Sequence, residues 1–170
     1  MPPTPDPAGA GSAVPDRGRS DACPGALRLH TADDGALARI RVPGGMLTDH
    51  QLLALADAAE ALGDGRPETT SRGNVQLRGL ASTCGGELAD RLRAVGLLPS
   101  ETHERVRNIV ASPTAGLDGA GHADTAAWVR ELDAGLCAAP WAAALSGKFL
   151  FAQHDGRAGV APRPPGVTIF

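Results

Sequence analysis

Along residues 36–42 apolar and polar side chains alternate. Ala36, Ala38, Ile40 and Val42 fall on one side of an extended chain, and Leu37, Arg39 and Arg41 on the other. Successive side chains of a strand point to opposite faces, so this is a half-buried strand, closed by Pro43-Gly44-Gly45. A shorter alternating run, Leu27-Arg28-Leu29-His30, precedes it. The period then changes: Leu52, Leu55, Ala56, Ala59 and Leu62 recur at helical spacing and make one apolar stripe. Thr48 with Gln51 three residues on forms a capping box, Leu47 and Leu52 are spaced for a hydrophobic staple, and Gly63 is the stop. A second helix is predicted over 86–95, with Leu88, Leu92 and Val95 inward and Gly96 at its end.

Between the two helices, 66–71 reads as a strand leading into Thr69-Thr70-Ser71-Arg72-Gly73-Asn74-Val75-Gln76-Leu77-Arg78-Gly79. If that segment is extended, Arg72, Asn74, Gln76 and Arg78 share one face and Val75 and Leu77 the other, with Gly73 able to bend or bulge it. Arginine gives planar two-point hydrogen bonds to carboxylates and oxyanions, so the polar face is suited to an anionic, oxygen-rich ligand; a solvated strand face carries the same pattern. Strand, helix, strand, a further extended piece and helix predict an α+β sandwich of the ferredoxin-like kind, helices on one face of the sheet. Pro99-Ser100 marks a boundary, beyond which an incomplete α+β domain is expected. Its parts are a strand-like 105–111, a helix over 123–138 (Val129, Leu132 and Leu136 inward, Pro140 as stop) and an extended 148–153. In the last, Phe149 and Phe151 point one way and Lys148 and Leu150 the other. The expected organisation is a disordered leader over 1–22, a half domain over 23–99, the second domain over 100–160 and a Pro-rich tail over 161–170.

Two further segments carry candidate chemistry. Within Thr102-His103-Glu104-Arg105-Val106-Arg107-Asn108, Arg105 and Arg107 share a face of an extended chain, and Asn108 and Ser112 add polar groups. Lys148 is the only lysine of a chain whose other basic residues are all arginine.

Composition narrows the classes. At 170 residues the chain has room for a real core, yet aromatics make up only 3% and there is no Tyr, so packing rests on Leu, Val and Ile. A net charge of −3 argues against a nucleic-acid partner. No membrane-length apolar run or secretory signal is seen, and a cytoplasmic protein is expected. Cys23, Cys84 and Cys137 form no CxxC pair, so no structural zinc site or self-contained iron–sulfur site is expected. His30, His103, His122 and His154 have no nucleophile or metal-ligand spacing beside them, although His103-Glu104 precedes the arginine segment.

The segments taken together resemble the nitrite and sulfite reductase superfamily: Thr70-Ser71-Arg72 with Val75-Gln76-Leu77, then Arg107-Asn108-Ile109-Val110 followed by Ser112-Pro113, then Lys148-Phe149. Within it, Cys23-Pro24-Gly25-Ala26-Leu27-Arg28-Leu29-His30, Val42-Pro43-Gly44-Gly45, Leu97-Leu98-Pro99-Ser100 and Lys148-Phe149 before Asp155-Gly156 resemble the precorrin-3B synthase family. The resemblance implies a ferredoxin-like half domain followed by the start of a sirohaem and [4Fe–4S] domain. It also implies O2-dependent hydroxylation and lactone formation on precorrin-3A in cobalamin biosynthesis, with electrons from a reduced nicotinamide source through the cluster. Arg72, Asn74, Gln76, Arg78, Arg105, Arg107, Asn108 and Lys148 are the binding residues expected for a carboxylate-rich tetrapyrrole, and Arg72, Arg107 and Lys148 are expected to converge on one cleft. No catalytic or metal-ligating residue is assigned.

Reductases of the superfamily carry a second lysine two residues after the first, and here that position is Leu150. The three cysteines match none of the family's cluster positions. The expectation is an N-terminal portion that holds no cofactor alone, is inactive alone, and takes a further polypeptide carrying the cluster as partner. The alternatives are a nitrite/sulfite reductase-like fragment and a non-catalytic tetrapyrrole- or anion-binding module.

Overall fold

Alternation in the first half of the chain becomes a four-stranded antiparallel sheet in the computed structural model, which describes residues 25–121, 123–157 and 166–169. Expectations on the leader, on Cys23 and on His122 lie outside these residues. The strands are β1 (His30–Ala32), β2 (Gly35–Ile40), β3 (Glu68–Thr69) and β4 (Val75–Leu80), in the order β1-β2-β4-β3. Helices α1 (Asp49–Leu62) and α2 (Gly85–Ala94) lie on one face. Ala36, Ala38, Ile40 and Val42 meet Leu55, Ala58 and Ala59 of α1 and Leu88, Ala89 and Leu92 of α2 in one core, so the predicted inner face of β2 is the observed one. This is the expected α+β, ferredoxin-like half domain.

The capping box of α1 forms as predicted: the Thr48 hydroxyl accepts from Gln51 N at 3.2 Å and the Gln51 side chain accepts from Thr48 N at 3.1 Å. The stripe differs at its start. Leu52 is 53% exposed, because the first turn directs Gln51 inward, where its Nε2 donates to the Val95 carbonyl past the end of α2 at 3.1 Å. An orphan carbonyl at a helix end is thereby satisfied, at the expense of the predicted staple.

The larger correction concerns the arginine-bearing segment. It is not extended from Arg72: residues 70–73 turn, with Gly73 N donating to the Thr70 carbonyl at 2.9 Å, and β4 begins only at Val75. Gly73 has φ +69°, a conformation open chiefly to glycine. The segment is thus the tip of the β3–β4 hairpin, and Arg72 leaves the strand register that would align it with Gln76 and Arg78.

The second half forms a parallel sheet of β5 (Ile109–Ala111), β6 (Leu150–Gln153) and β7 (Gly166–Ile169), in that order, with α3 (Thr125–Ala138) crossing between β5 and β6. Ile109, Ala111 and Phe151 pack on Val129 and Leu136 of α3, and Phe149 joins them from the margin, so the predicted alternation of Phe149 and Phe151 is present. β7 lies within the stretch read as a Pro-rich tail; pairing with β6 supplies the order that its composition does not advertise. The predicted strand over 105–111 is shorter, since residues 101–106 turn and only 109–111 pair.

Candidate functional site

A cleft of about 1070 Å³ opens between the half domain and the second sheet. Its half-domain wall is the Gly44–Leu47 turn after β2 and the Ser71–Gly73 hairpin tip. Its far wall is the end of β5, the loop through Leu117, the first turn of α3 and Leu150. The two half-domain turns touch backbone to backbone: a Cβ on Gly73 would stand 3.3 Å from Gly45 Cα. Thr70 stiffens the tip, its hydroxyl accepting from Arg72 N at 3.4 Å and Asn74 N at 3.2 Å.

Among the lining residues Arg72 is the basic side chain and Asp124 the acidic one. Asp124 is engaged as N-cap of α3, accepting from Ala126 N at 3.0 Å and Ala127 N at 3.3 Å. The charged side chain left without such a role is that of half-buried Arg72, in a cleft whose walls mix Ser71, Ser112 and Thr125 with Leu47, Val110, Leu117 and Leu150. Such a site can hold an anionic edge beside an apolar body.

The other predicted residues separate into groups. Asn74 and Asn108 come together inside the molecule, Asn74 Nδ2 donating to Asn108 Oδ1 at 3.0 Å, while Asn74 Oδ1 accepts from Val42 N at 3.0 Å. Arg107 is 3% exposed and closed by Asp133, with Nε and Nη2 each 2.7 Å from a carboxylate oxygen and Nη1 donating to the Leu97 carbonyl at 3.0 Å. Gln76 and Arg78 lie on the sheet face away from the core. Gln76 accepts from Arg39 at 3.2 Å and donates to Glu68 at 2.8 Å; Arg78 pairs with Asp34 at 2.8 and 3.1 Å. Arg105 is half-buried in the 101–106 turn, where its charge favours the carboxylate form of Glu104. Lys148 is exposed, two residues before the cleft-lining Leu150. The structure thus puts Arg72 in the cleft wall and Arg107 in an interior ion pair. Neither Arg107 nor Lys148 is among the lining residues.

The roles of Arg41 and Asp133 were not legible in sequence, and Glu104, noted there with His103 before the arginine segment, proves to be an interior brace. Arg41 is 5% exposed; its Nη2 donates to the Gly147 carbonyl at 3.1 Å and its Nη1 approaches Asn108 Oδ1 at 3.5 Å. Its alternation with Arg39 was visible, but nothing in sequence said that the second sheet would cover one of the pair. Asp133 looked like any polar position of α3. Glu104 accepts from Ala26 N at 2.9 Å and Leu27 N at 3.2 Å, and its carboxyl lies so close to Gly25 that a Cβ there would clash. Burial pushes the Glu104 carboxyl above its ordinary value, against the pull of those amides and of Arg105 and Arg41. His103 is a buried brace: Nδ1 is 2.8 Å from Ser100 Oγ and 2.9 Å from Thr102 Oγ1, and Nε2 is 3.0 Å from the Ala139 carbonyl.

A second cavity, about 550 Å³, is lined by Trp128, Leu132, Leu136, Trp141 and Phe151 with Glu131 at its edge, a composition unsuited to anions. For a metal cluster the fit fails: among the described residues no group of three or more His, Cys, Asp or Glu could hold a metal ion. Cys84 occupies the N-cap position of α2 without a side-chain capping bond and Cys137 lies in α3, each thiol pushed up by burial rather than activated. For a tetrapyrrole, the residues present that could hold a carboxylate edge are those of the cleft of about 1070 Å³ with Arg72 in its wall. Among the described residues no helix is long and apolar enough to cross a membrane.

Residues 30–95 match the family model of the nitrite/sulfite reductase ferredoxin-like half domain. The chain is 43% identical over 105 residues to a ferredoxin–nitrite reductase of Synechococcus elongatus, a match covering 61% of this chain and 20% of that relative. It is 39% identical over 100 residues to a precorrin-3B synthase of Sinorhizobium sp (59% and 21%). It is 33% identical over 97 residues to the sulfite reductase [NADPH] hemoprotein beta-component of Acidithiobacillus ferrooxidans (56% and 17%). These likenesses support the nitrite/sulfite reductase superfamily of oxidoreductases. The matches span about a fifth of each relative, from 17% to 21%.

Proposed function

We propose that the cleft binds the carboxylate-bearing edge of a tetrapyrrole, and that the chain contributes this wall to an oxidoreductase acting on precorrin-3A as precorrin-3B synthases do. The observation that carries the reading is Leu150. An apolar side chain lines the cleft where, by the resemblance, a sulfite or nitrite reductase places its second lysine. Removing a cation from such a site weakens stabilisation of a small oxyanion, whereas a macrocycle gains an apolar contact. Arg72 holds a ring carboxylate in two-point fashion, and Val110 and Leu150 exclude water from the ring face. Bound tetrapyrrole and cluster chemistry supplies the redox step; the residues described here bind and orient. Electron delivery falls to a further polypeptide or segment carrying the cluster, and Arg107, Asn74 and Asn108 act from beneath by holding the walls.

A second reading, an oxyanion reductase, is favoured by the 43% identity to a nitrite reductase. Titration with uroporphyrin III, followed by its fluorescence, separates the two. Binding that weakens about tenfold in Arg72→Ala, the size of one lost charged hydrogen bond, is the expected result. Unchanged affinity in Arg72→Ala, or nitrite binding that is tighter than porphyrin binding and enhanced in Leu150→Lys, overturns the precorrin reading.

A further inference from the structure

The cavity of about 550 Å³ lies on the face of β6 away from the cleft: Phe151 and Gln153 line it, whereas Leu150 between them in the alternation lines the cleft. Its other walls come from one stripe of α3, with Trp128 and Gly135, and from Trp141 just beyond the helix. Both tryptophans of the chain and one of its three phenylalanines therefore meet at one cavity. Trp128 is 38% and Trp141 67% exposed, so part of each indole is left uncovered by the described residues. A polar group is orphaned in the same place. Gln153 is 2% exposed, and its Oε1 has no hydrogen-bond partner. A buried acceptor without a donor is destabilising until something supplies one. From these observations we propose that the cavity is a binding site for a flat, uncharged heteroaromatic ring that carries an N–H donor. The site is separate from the cleft, and the proposal does not rest on the reading of the cleft.

Each property of that ligand answers a feature of the cavity. Indole and phenyl groups pack best against other rings, stacked or edge-on, which favours a flat aromatic body. Among the described residues no arginine or lysine lines the site, and Glu131 stands at its edge, so a carboxylate or phosphate would meet repulsion and no partner. The Gln153 Oε1 calls for an N–H, and its terminal amide turns about a soft torsion that can bring the oxygen to the cavity. Gly135 lets the ring lie against the helix backbone. Glycine loses more backbone freedom in a helix than alanine does, so it is unfavourable there without a reason. No positive φ requires it at this position, and among the described residues a Cβ would meet nothing within 4 Å outside the helix's own backbone. The space that a methyl group would take is left open to the ligand.

The experiment titrates 2-quinolone, a flat neutral lactam, into the full chain and follows the fluorescence of the two tryptophans, both of which line the site. Saturable quenching is expected. 1-Methyl-2-quinolone, in which the N–H is blocked, is expected to bind about tenfold more weakly, the size of one lost hydrogen bond. Quinoline-2-carboxylate, an anion of similar size, is expected not to bind. Gln153→Leu and Gly135→Ala are each expected to weaken 2-quinolone binding about tenfold, the first by removing the acceptor and the second by placing a methyl group in the ring's space. In both variants the urea midpoint of the free chain is expected to stay the same or rise, since an orphaned acceptor or a helical glycine has been removed. Arg72→Ala is expected to leave 2-quinolone affinity unchanged. Absence of saturable binding, equal affinity for the N-methyl ring, or tighter binding of the carboxylate overturns the proposal. So does undiminished affinity in either site variant, or a loss in Arg72→Ala, which would move the ligand to the cleft. A lowered midpoint in Gln153→Leu also overturns it, because the amide would then serve the fold.

Discussion

Asn74 and Asn108 carry the right chemistry for an external ligand and spend it internally. Each is 1% exposed or less, and between them they satisfy Val42 N, the Phe149 carbonyl and one another. Truncating either strands a buried donor or acceptor, which costs far more than the net value of the bond. Asn74→Ala is expected to lose about 1–3 kcal/mol in urea denaturation. Gln76→Ala, which breaks bonds that are only partly buried, should cost less. Two carboxyls give opposite pH signatures. The Arg157 guanidinium, donating to Asp155 from Nε at 2.8 Å, holds its pKa at about 2, below the ordinary 3.8, so its stabilisation is present above 3.8 and is lost as pH falls through about 2. Glu104 is shifted upward by burial, so its contribution is full below the ordinary 4.5 and fades as pH rises through the raised value. The stability of Glu104→Gln relative to the native chain is therefore expected to increase between pH 4 and pH 7, read as urea midpoints at the two values.

At the scale of elements, the hairpin tip and the turn after β2 define the cleft because both can approach without side chains. Gly73→Ala forces a left-handed residue and a contact 3.3 Å from Gly45 Cα. Expected consequences are a loss of about 1–2 kcal/mol and weaker porphyrin binding, since Arg72 rides on the displaced tip. Helix α3 is tied down differently. Its Asp133 neutralises a guanidinium that is 4% exposed, and breaking such a pair leaves an uncompensated interior charge. Asp133→Ala is expected to cost about 3–5 kcal/mol, measured by the same denaturation; an exposed pair such as Arg91 with Glu87 should be worth under about 1 kcal/mol. The helices were the most legible elements in sequence, since capping and the three-to-four repeat are local. The hairpin tip was not: Gly73 was noted as a possible bend, but that residues 70–73 turn fully depends on β3 pairing back onto β4.

For the molecule as a whole, polar bridges rather than one continuous apolar core join the two sheets. Asn74 to Asn108, Arg41 to Gly147 and Arg107 to the Leu97 carbonyl each cross from one half to the other. One cooperative unfolding transition is expected. Both tryptophans, Trp128 and Trp141, report on the second half, so their fluorescence and far-ultraviolet circular dichroism should give coincident urea midpoints. Separated midpoints would mean that the bridges do not couple the halves.

Periodicity, capping residues and the order of basic motifs determined the half domain, its two helices, the Phe149–Phe151 alternation and the superfamily likeness, because each is encoded within a few neighbouring positions. Which arginine lines the cleft was decided only by tertiary structure. Arg72, Arg78 and Arg107 are chemically the same in a sequence; a turn leaves the first in the cleft wall, Asp34 claims the second and Asp133 the third. Those partners lie 44 and 26 residues away from their arginines, beyond the reach of any local pattern. The burial of Arg41 arises in the same way, against a carbonyl 106 residues distant that only the folded chain brings within hydrogen-bond range.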